Sequence, residues 1–189
     1  MGPVALAVAP TADTEAPHAG SVDATTFRQA MRQLAGGVCA ISASDDDGRR
    51  TGMTVTSVVS LSLQPAELVV SINQNSSSWP VISRSGRFGV NLLDAGQATV
   101  AQRFAGVGGV QGADRYEGAD WQQTDDGVWL LADAPVALAC AVVQVWTRHS
   151  HALVVGRITA ATGRVLQGQG APAAPLLYWQ GRYGGFVPG

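Results

Sequence analysis

The sequence predicts a mainly β domain, a closed antiparallel barrel carrying a few short helices. Three observations point there. Runs rich in Val, Ile, Thr and aromatic residues recur along the chain, set apart by turn signals. Helical spacing is confined to short stretches near residues 25–34 and 94–104, with a brief helix opening after Ser78. A βαβ nucleotide-binding unit is missing: the glycines from Gly106 to Gly112 follow a helix, and Gln111 stands where GxGxxG needs its third glycine.

The elements follow in order. Residues 1–22 carry Pro3, Pro10 and Pro17 among many Ala and Thr without periodicity, and read as a flexible tail; one domain is expected over 23–189. Thr25 or Thr26 can cap a helix whose Phe27, Ala30, Met31 and Leu34 share a face, ended by Gly36-Gly37. Val38 to Ser44 reads as a strand, Asp45-Asp46-Asp47-Gly48 as a turn, and Thr51 to Ser62 as a β-rich run studded with hydroxyls. A turn at Pro65 leads to a strand ending Ser71-Ile72-Asn73, and a loop, Asn75 to Pro80, opens the short helix. Asp94 and Gln97 have capping-box-like spacing for a helix through Phe104, after which Gly106–Gly112 reads as a flexible loop. Two long β runs, Pro135–Trp146 and Ala152–Thr162, flank Thr147-Arg148-His149-Ser150-His151. The last β signal is Pro175–Trp179.

At 189 residues the chain suits a single domain with a substantial core. A hydrophobic content of 46% against 14% charged residues leaves more apolar surface than usual and points to oligomerisation. The net charge of −2 and the lack of a basic stripe argue against nucleic-acid binding. All 12 basic residues are arginine, so any cationic side chain meeting a phosphate is a guanidinium. Cys39 and Cys140 lie in apolar runs without CxxC or Cys/His metal spacing, and read as reduced core thiols. No apolar run approaches the ~18 residues of a membrane span, and Val4–Ala9 lacks a preceding basic region. A cytoplasmic protein without a signal peptide is expected.

Residue chemistry narrows the function less sharply. Ser76, Ser77 and Ser78 before a helix start offer hydroxyl and backbone N–H donors to an anion, although a purely structural loop favours the same residues. Strand alternation puts Thr54 and Thr56 on one face and Val55 and Ser57 on the other. Arg84 and Arg87 flank the short helix, either near an anion or solvated. His149 and His151 form an i, i+2 pair, but without a neighbouring carboxylate or cysteine no metal site is expected. No GxSxG elbow marks a hydrolase.

Taken together, TGMTVTSVVSLSLQPAELVVSI, NSSSWPVISRSGRFGVNLL, QATVAQRFAG and the closing YWQGRYGGF resemble, in order, the flavin reductase-like family of FMN-binding split barrels. The resemblance spans roughly residues 25–186 and is narrowest to the reductase components of two-component flavin-dependent monooxygenases. It implies a Greek-key split β-barrel, usually a homodimer. The implied activity is reduction of FMN or FAD by NADH or NADPH, with reduced flavin passed to a partner monooxygenase, in settings that include secondary metabolism. Carried over by position, Thr54, Val55, Thr56 and Ser57 contact the flavin ring, Ser71, Asn73, Ser76, Ser77 and Ser78 bound the ribityl chain and phosphate, and Arg103 and Phe104 belong to a further patch. Tyr183 is the aromatic expected to reach flavin or nicotinamide, and His151 to lie beside both rings as the catalytic residue. Ser150 replaces the family's usual acidic residue before that histidine, which leaves its tautomer unset by a carboxylate. A non-reductase flavoprotein on the same barrel, of the pyridoxamine-phosphate-oxidase type, and a flavin-binding module without turnover are the alternative readings.

Overall fold

The computed structural model describes residues 8–9, 20–168 and 174–186. Most of the expected tail, residues 1–22, lies outside them. In chain order the elements are β1 (Val8–Ala9), α1 (Ala24–Met31), β2 (Gly36–Gly37), β3 (Cys39–Ser44), β4 (Arg50–Val55), β5 (Val58–Leu63), β6 (Ala66–Asn73), α2 (Trp79–Ser85), β7 (Arg87–Leu92), α3 (Ala98–Phe104), β8 (Trp121–Gln123), β9 (Trp129–Leu131), β10 (Val136–Arg148), β11 (His151–Thr162), β12 (Leu176–Trp179) and β13 (Arg182–Gly185). Short 3-10 turns at Ala95–Gln97, Val107–Gly109 and Gly112–Tyr116 bracket α3.

The main sheet runs β4-β3-β7-β10-β11-β6-β5, antiparallel throughout, with β1 added in parallel against Val145 and Trp146 of β10. β13-β12-β2 and β8-β9 form two smaller sheets. The barrel is therefore split rather than closed, which corrects the expectation drawn from the residues alone. Its end strands β4 and β5 are joined by a bend at Thr56-Ser57 instead of a hairpin turn, so the chain runs on without folding back to pair them.

β3 explains why the sheet holds together. Cys39, Ile41 and Ala43 pack into one core with Val70, Ile72, Phe88, Val90 and Val154. Val38, just before the strand, and Ala40 face a second core with Phe104, Tyr116, Leu130, Leu131 and Leu176. Alternation sends successive side chains to opposite faces, and here both faces are covered, which is why the segment reads as a continuous apolar run. Both thiols are free and buried. Burial pushes Cys39 up to about 11 and Cys140 up to about 12, so neither is a nucleophile at neutral pH.

Other local expectations need revision. The cap of α1 is Asp23, not a threonine; its carboxylate accepts from Thr25 N at 2.9 Å and Thr26 N at 3.1 Å. The helix stops at Met31, short of Leu34, and Phe27 and Met31 on it are exposed, as is Leu34 beyond its end. Gly36-Gly37 does more than stop a helix, since it pairs with Leu177 and Tyr178. A Cβ on Gly36 would lie 2.7 Å from Thr56 Cβ, so only glycine lets this strand approach the bend. The Asp94–Gln97 capping box is present, with Gln97 Oε1 accepting from Asp94 N at 3.1 Å. Strands β7, β8 and β9 are additions the sequence did not announce.

Candidate functional site

β4 is the rail along which two cavities are arranged. Its first residues, Arg50 and Thr51, line a cavity of about 800 Å³ together with Arg49, Ser77, Ala105, Arg115 and the loop from Gly106 to Ala113. Its last residues, Thr54 and Val55, line a smaller cleft of about 250 Å³ with Thr56, Val38, Ala105, Tyr178 and Tyr183. Ala105 borders both, which makes them neighbours.

The larger cavity is electrostatically one-sided. Three arginines line it, and none of its described lining residues is a carboxylate. Arg50 is held in place by aromatic faces: its guanidinium carbon lies 4.8 Å from the Trp129 ring centre and 5.4 Å from that of Tyr116. Tyr116 is fixed in turn, donating its hydroxyl to Thr51 O at 2.7 Å and accepting from Ala43 N at 3.2 Å. Burial, the larger effect, pushes its phenol far above the ordinary value despite the two nearby arginines. Arg115 donates to the carbonyls of Arg103 (3.1 Å) and Phe104, which locks the end of α3 onto the cavity wall. Thr51 and Ser77 bring hydroxyls within 3.2 Å of each other. Fixed guanidinium groups, hydroxyls and a glycine-rich backbone suit phosphate oxygens.

The cleft has a different character. Val38, Val55 and Ala105 supply apolar walls, and Tyr178 and Tyr183 meet cross-strand with their rings tilted at 58° and 5.3 Å between ring centres. Gln180 and Gly181 form the turn that puts these tyrosines opposite each other, both with positive φ (47° and 83°) as a two-residue hairpin requires. Partial burial first, and Tyr178 beside it second, raise the Tyr183 phenol above its ordinary value. Thr54 lines the cleft while its hydroxyl donates to Ala101 O at 2.5 Å, tying β4 to α3.

The structure brings Thr54, Val55, Thr56 and Tyr183 together in this cleft and puts Ser77 in the larger cavity. The remaining residues sit elsewhere. Ser57 donates to Ser71 O at 3.0 Å, so these two link β5's entry to β6. Asn73 Oδ1 accepts from Asn75 N at 2.9 Å and Ser76 Oγ from Trp79 N at 3.3 Å, both shaping the loop before α2. Ser78 is fully buried, 3.4 Å from Thr51 Oγ1, and has no surface to offer a ligand. The same is true of the Phe104 side chain, which stacks on Trp121 at 5.1 Å and leans on Tyr116 at 5.2 Å. Arg103 is engaged by Glu117 at 2.8 Å and by Asp114 O, and Arg84 and Arg87 by Asp45 and Asp46. These ion pairs take up the arginines that the sequence suggested for phosphate. Arg49, Arg50 and Arg115 line the larger cavity instead, and so does part of the Gly106–Gly112 run, read as a flexible loop.

His151 is exposed at the first position of β11, opposite Asn73. Ser150 Oγ lies 2.9 Å from its Nδ1, so a hydroxyl occupies the position where a carboxylate was missed. Gln74 staples this hairpin tip to the serine loop: its backbone N donates to Ser150 O at 2.8 Å, and its Nε2 to the carbonyls of His149 (3.0 Å) and His151 (3.2 Å). His149 is the turn residue, with φ of 49°. No cluster of three potential metal ligands exists among the described residues, and no described helix is long and apolar enough to cross a membrane.

The architecture is a split antiparallel barrel with an arginine-lined cavity beside an aromatic cleft, and comparison with known proteins gives its class. The chain belongs to the flavin reductase-like family, whose domain model, "Flavin reductase like domain", matches residues 31–186. It is 34% identical to a flavin reductase of Pseudomonas putida over 167 residues, 88% of this chain and 92% of that one. An NADH:riboflavin 5'-phosphate oxidoreductase of Streptomyces pristinaespiralis is 38% identical over 167 residues, 88% of this chain and 89% of the other. Among solved structures, nitrilotriacetate monooxygenase component B from Mycobacterium thermoresistibile superposes with a TM-score of 0.76 at 30% identity, covering 87% of each chain.

Proposed function

We propose that this protein is an NADH-dependent flavin reductase that takes FMN or FAD and hands the reduced flavin to a partner flavin-dependent monooxygenase. The observation that carries the reading is the pairing of the two cavities along β4. From Thr51 to Thr54 the strand advances about 10 Å, the distance a ribityl chain has to span between a phosphate among Arg50, Thr51 and Ser77 and a ring in the Thr54–Tyr183 cleft. The flavin supplies the hydride acceptor at N5, and the nicotinamide, a co-substrate, supplies the hydride from C4. What the chain contributes is position: apolar walls and the tyrosine pair hold the rings face to face, where orientation alone lowers a bimolecular barrier. The similarity to the Streptomyces and Pseudomonas enzymes supports flavin and NADH, and that to a monooxygenase component B supports the partner. NADPH remains the alternative donor. We place the reaction in the cytoplasm, where the nicotinamide pool is reduced.

Crossing NADH and NADPH with FMN, FAD and riboflavin tests the reading. NADH oxidation in air is expected only when flavin is present, and a rate at the enzyme-free background for every pair would refute it. Within that assay, Arg50→Gln should weaken FMN by roughly 10- to 100-fold, the scale of about 1.5–3 kcal/mol for hydrogen bonds to a charged group, and leave riboflavin unchanged. Equal losses for both flavins would remove the phosphate from this cavity.

His151 opens β11 at the hairpin tip, opposite Asn73. We assign it the nicotinamide side of the site on the family resemblance. His151→Ala is expected to slow flavin reduction in single-turnover measurements and to leave oxidised-flavin affinity nearly intact. His149→Gly, which suits the positive φ, should change neither. Identical behaviour of the two variants would make the histidine scaffold.

The exposed apolar residues of α1 and the turn after it (Phe27, Met31, Leu34) and of β5 (Val59, Leu61, Leu63) favour a homodimer. Leu63 is 90% exposed, a state that burial against a second copy would relieve. Sedimentation is expected to give a dimer at micromolar concentration; a monomer there would overturn this.

A further inference from the structure

We infer that Tyr116 and Trp129 are positioning residues: they hold Arg50 ready for the flavin phosphate, and so set how strongly the protein prefers a phosphorylated flavin over riboflavin. The inference rests on the flavin reading above and goes beyond it, because neither ring lines the cavity or the cleft. Arg84, Arg87, Arg103, Arg157 and Arg164 are each restrained by a carboxylate, which neutralises the cation and competes with an incoming anion. Arg50 is restrained in another way. Its guanidinium carbon lies over two rings, 4.8 Å from the centre of Trp129 and 5.4 Å from that of Tyr116, and among the described residues no carboxylate pairs with it. A ring holds a cation through its quadrupole and takes none of its N–H donors, so the full charge and the planar fork stay free for phosphate oxygens. The rings are themselves fixed to the strands beside Arg50. Tyr116 donates its hydroxyl to Thr51 O, on the very next residue, at 2.7 Å, and is backed by Trp121 at 4.7 Å and Phe104 at 5.2 Å between ring centres. The Trp129 carbonyl accepts from Ser42 Oγ on β3, and its ring stands edge-on to Tyr116, 6.4 Å away at 72°. Arg50 therefore reaches the cavity with its side-chain freedom already reduced, and binding a phosphate has less ordering to do.

The test measures FMN and riboflavin affinity on the full-length protein by calorimetry, with unfolding midpoints alongside. Trp129→Leu should weaken FMN by about three- to tenfold, the scale of a partly desolvated cation–π contact, and leave riboflavin affinity as in wild type. Trp129→Phe keeps a ring beneath Arg50 and should restore most of the FMN preference. The deciding arm is a double-mutant cycle. In an Arg50→Gln background, Trp129→Leu should cause no further loss of FMN, since a residue that acts through Arg50 has nothing left to act on. Trp129→Met carries the same arms if the leucine variant unfolds, its flexible side chain filling the space without a ring. Equal losses for FMN and riboflavin, an undiminished loss in the Arg50→Gln background, or a phenylalanine variant no better than leucine would make Trp129 a packing residue and overturn the inference, while NADH oxidation with flavin continues. Failure of the reading beneath it shows differently: wild type then binds FMN no more tightly than riboflavin, or oxidises no NADH with any flavin, and the inference falls with it.

Discussion

Phe104→Ala is expected to destabilise the protein by about 3–5 kcal/mol, the range for removing a buried aromatic ring, and to act on flavin only through the fold. The ring is buried against Trp121 and Tyr116 and fills the space that Gly52 leaves on β4, where an added Cβ would already be 2.6 Å from Ile41 O. Its loss opens a hole beneath the joint of α3 and β4, the joint that Thr54 Oγ1 also ties to Ala101 O. Urea unfolding measures the effect, and Phe104→Leu serves as the variant that keeps most of the volume. That variant should remain folded and bind FMN and riboflavin as wild type does. A wild-type unfolding midpoint for Phe104→Ala, or a Phe104→Leu that unfolds normally but no longer binds flavin, would place the ring in the cleft after all.

Asn91→Leu should cost about 2–5 kcal/mol, because it strands buried polar groups that water does not reach. Asn91 is fully buried; its Nδ2 donates to Ala40 O at 2.9 Å and to Ser42 Oγ at 3.3 Å, and its Oδ1 accepts from Leu131 N at 2.7 Å. One side chain thus joins β3, β7 and β9. Leucine leaves the Leu131 N–H and the Ser42 hydroxyl short of partners, although Ser42 still reaches Trp129 O. Because Trp129 is one of the rings that hold Arg50, FMN affinity should fall as well. The comparison is Ser44→Ala, which removes one bond, Ser44 Oγ to Gly127 O at 2.9 Å, and should cost about 1 kcal/mol. Equal unfolding midpoints for the two variants would mean that the asparagine network holds nothing that a single bond does not.

Much of the fold was legible because β strands announce themselves by alternation and turns by their residues. The Asp94–Gln97 box, the long β10–β11 hairpin and the turn at Asp45–Gly48 are local signals with local causes. That the barrel is split was legible only through the family resemblance and not from residue patterning, since it depends on whether β4 and β5 meet, a long-range fact that a two-residue bend decides. Strands β8 and β9 are three residues each, too short to show a period.

The candidate site divides in the same way. Thr54, Val55, Thr56 and Tyr183 come from segments whose order and spacing could be matched, and they share a cleft. Arg49, Arg50 and Arg115 escaped because nothing local separates an arginine that faces a cavity from one that faces a carboxylate. Arg103 sits in the last turn of α3 and Arg115, 12 residues on, reaches back to that turn, yet one meets Glu117 and the other lines the cavity. The only available hint was the missing lysine, which said that phosphate contacts would be guanidinium groups but not which.

The double burial of β3 has a consequence for how the molecule comes apart. A strand with side chains committed to two cores cannot release one of them and keep the other, so the regions on either side of it share a single melting event. Amide protons along Ala40–Ser42 then exchange with solvent only when everything opens, and their protection reports the global stability of the chain. The same strand offers evolution no permissive side: a change that relieves crowding against Phe88 is made on a backbone whose next residue presses on Phe104, and drift in this segment must be compensated on two fronts at once.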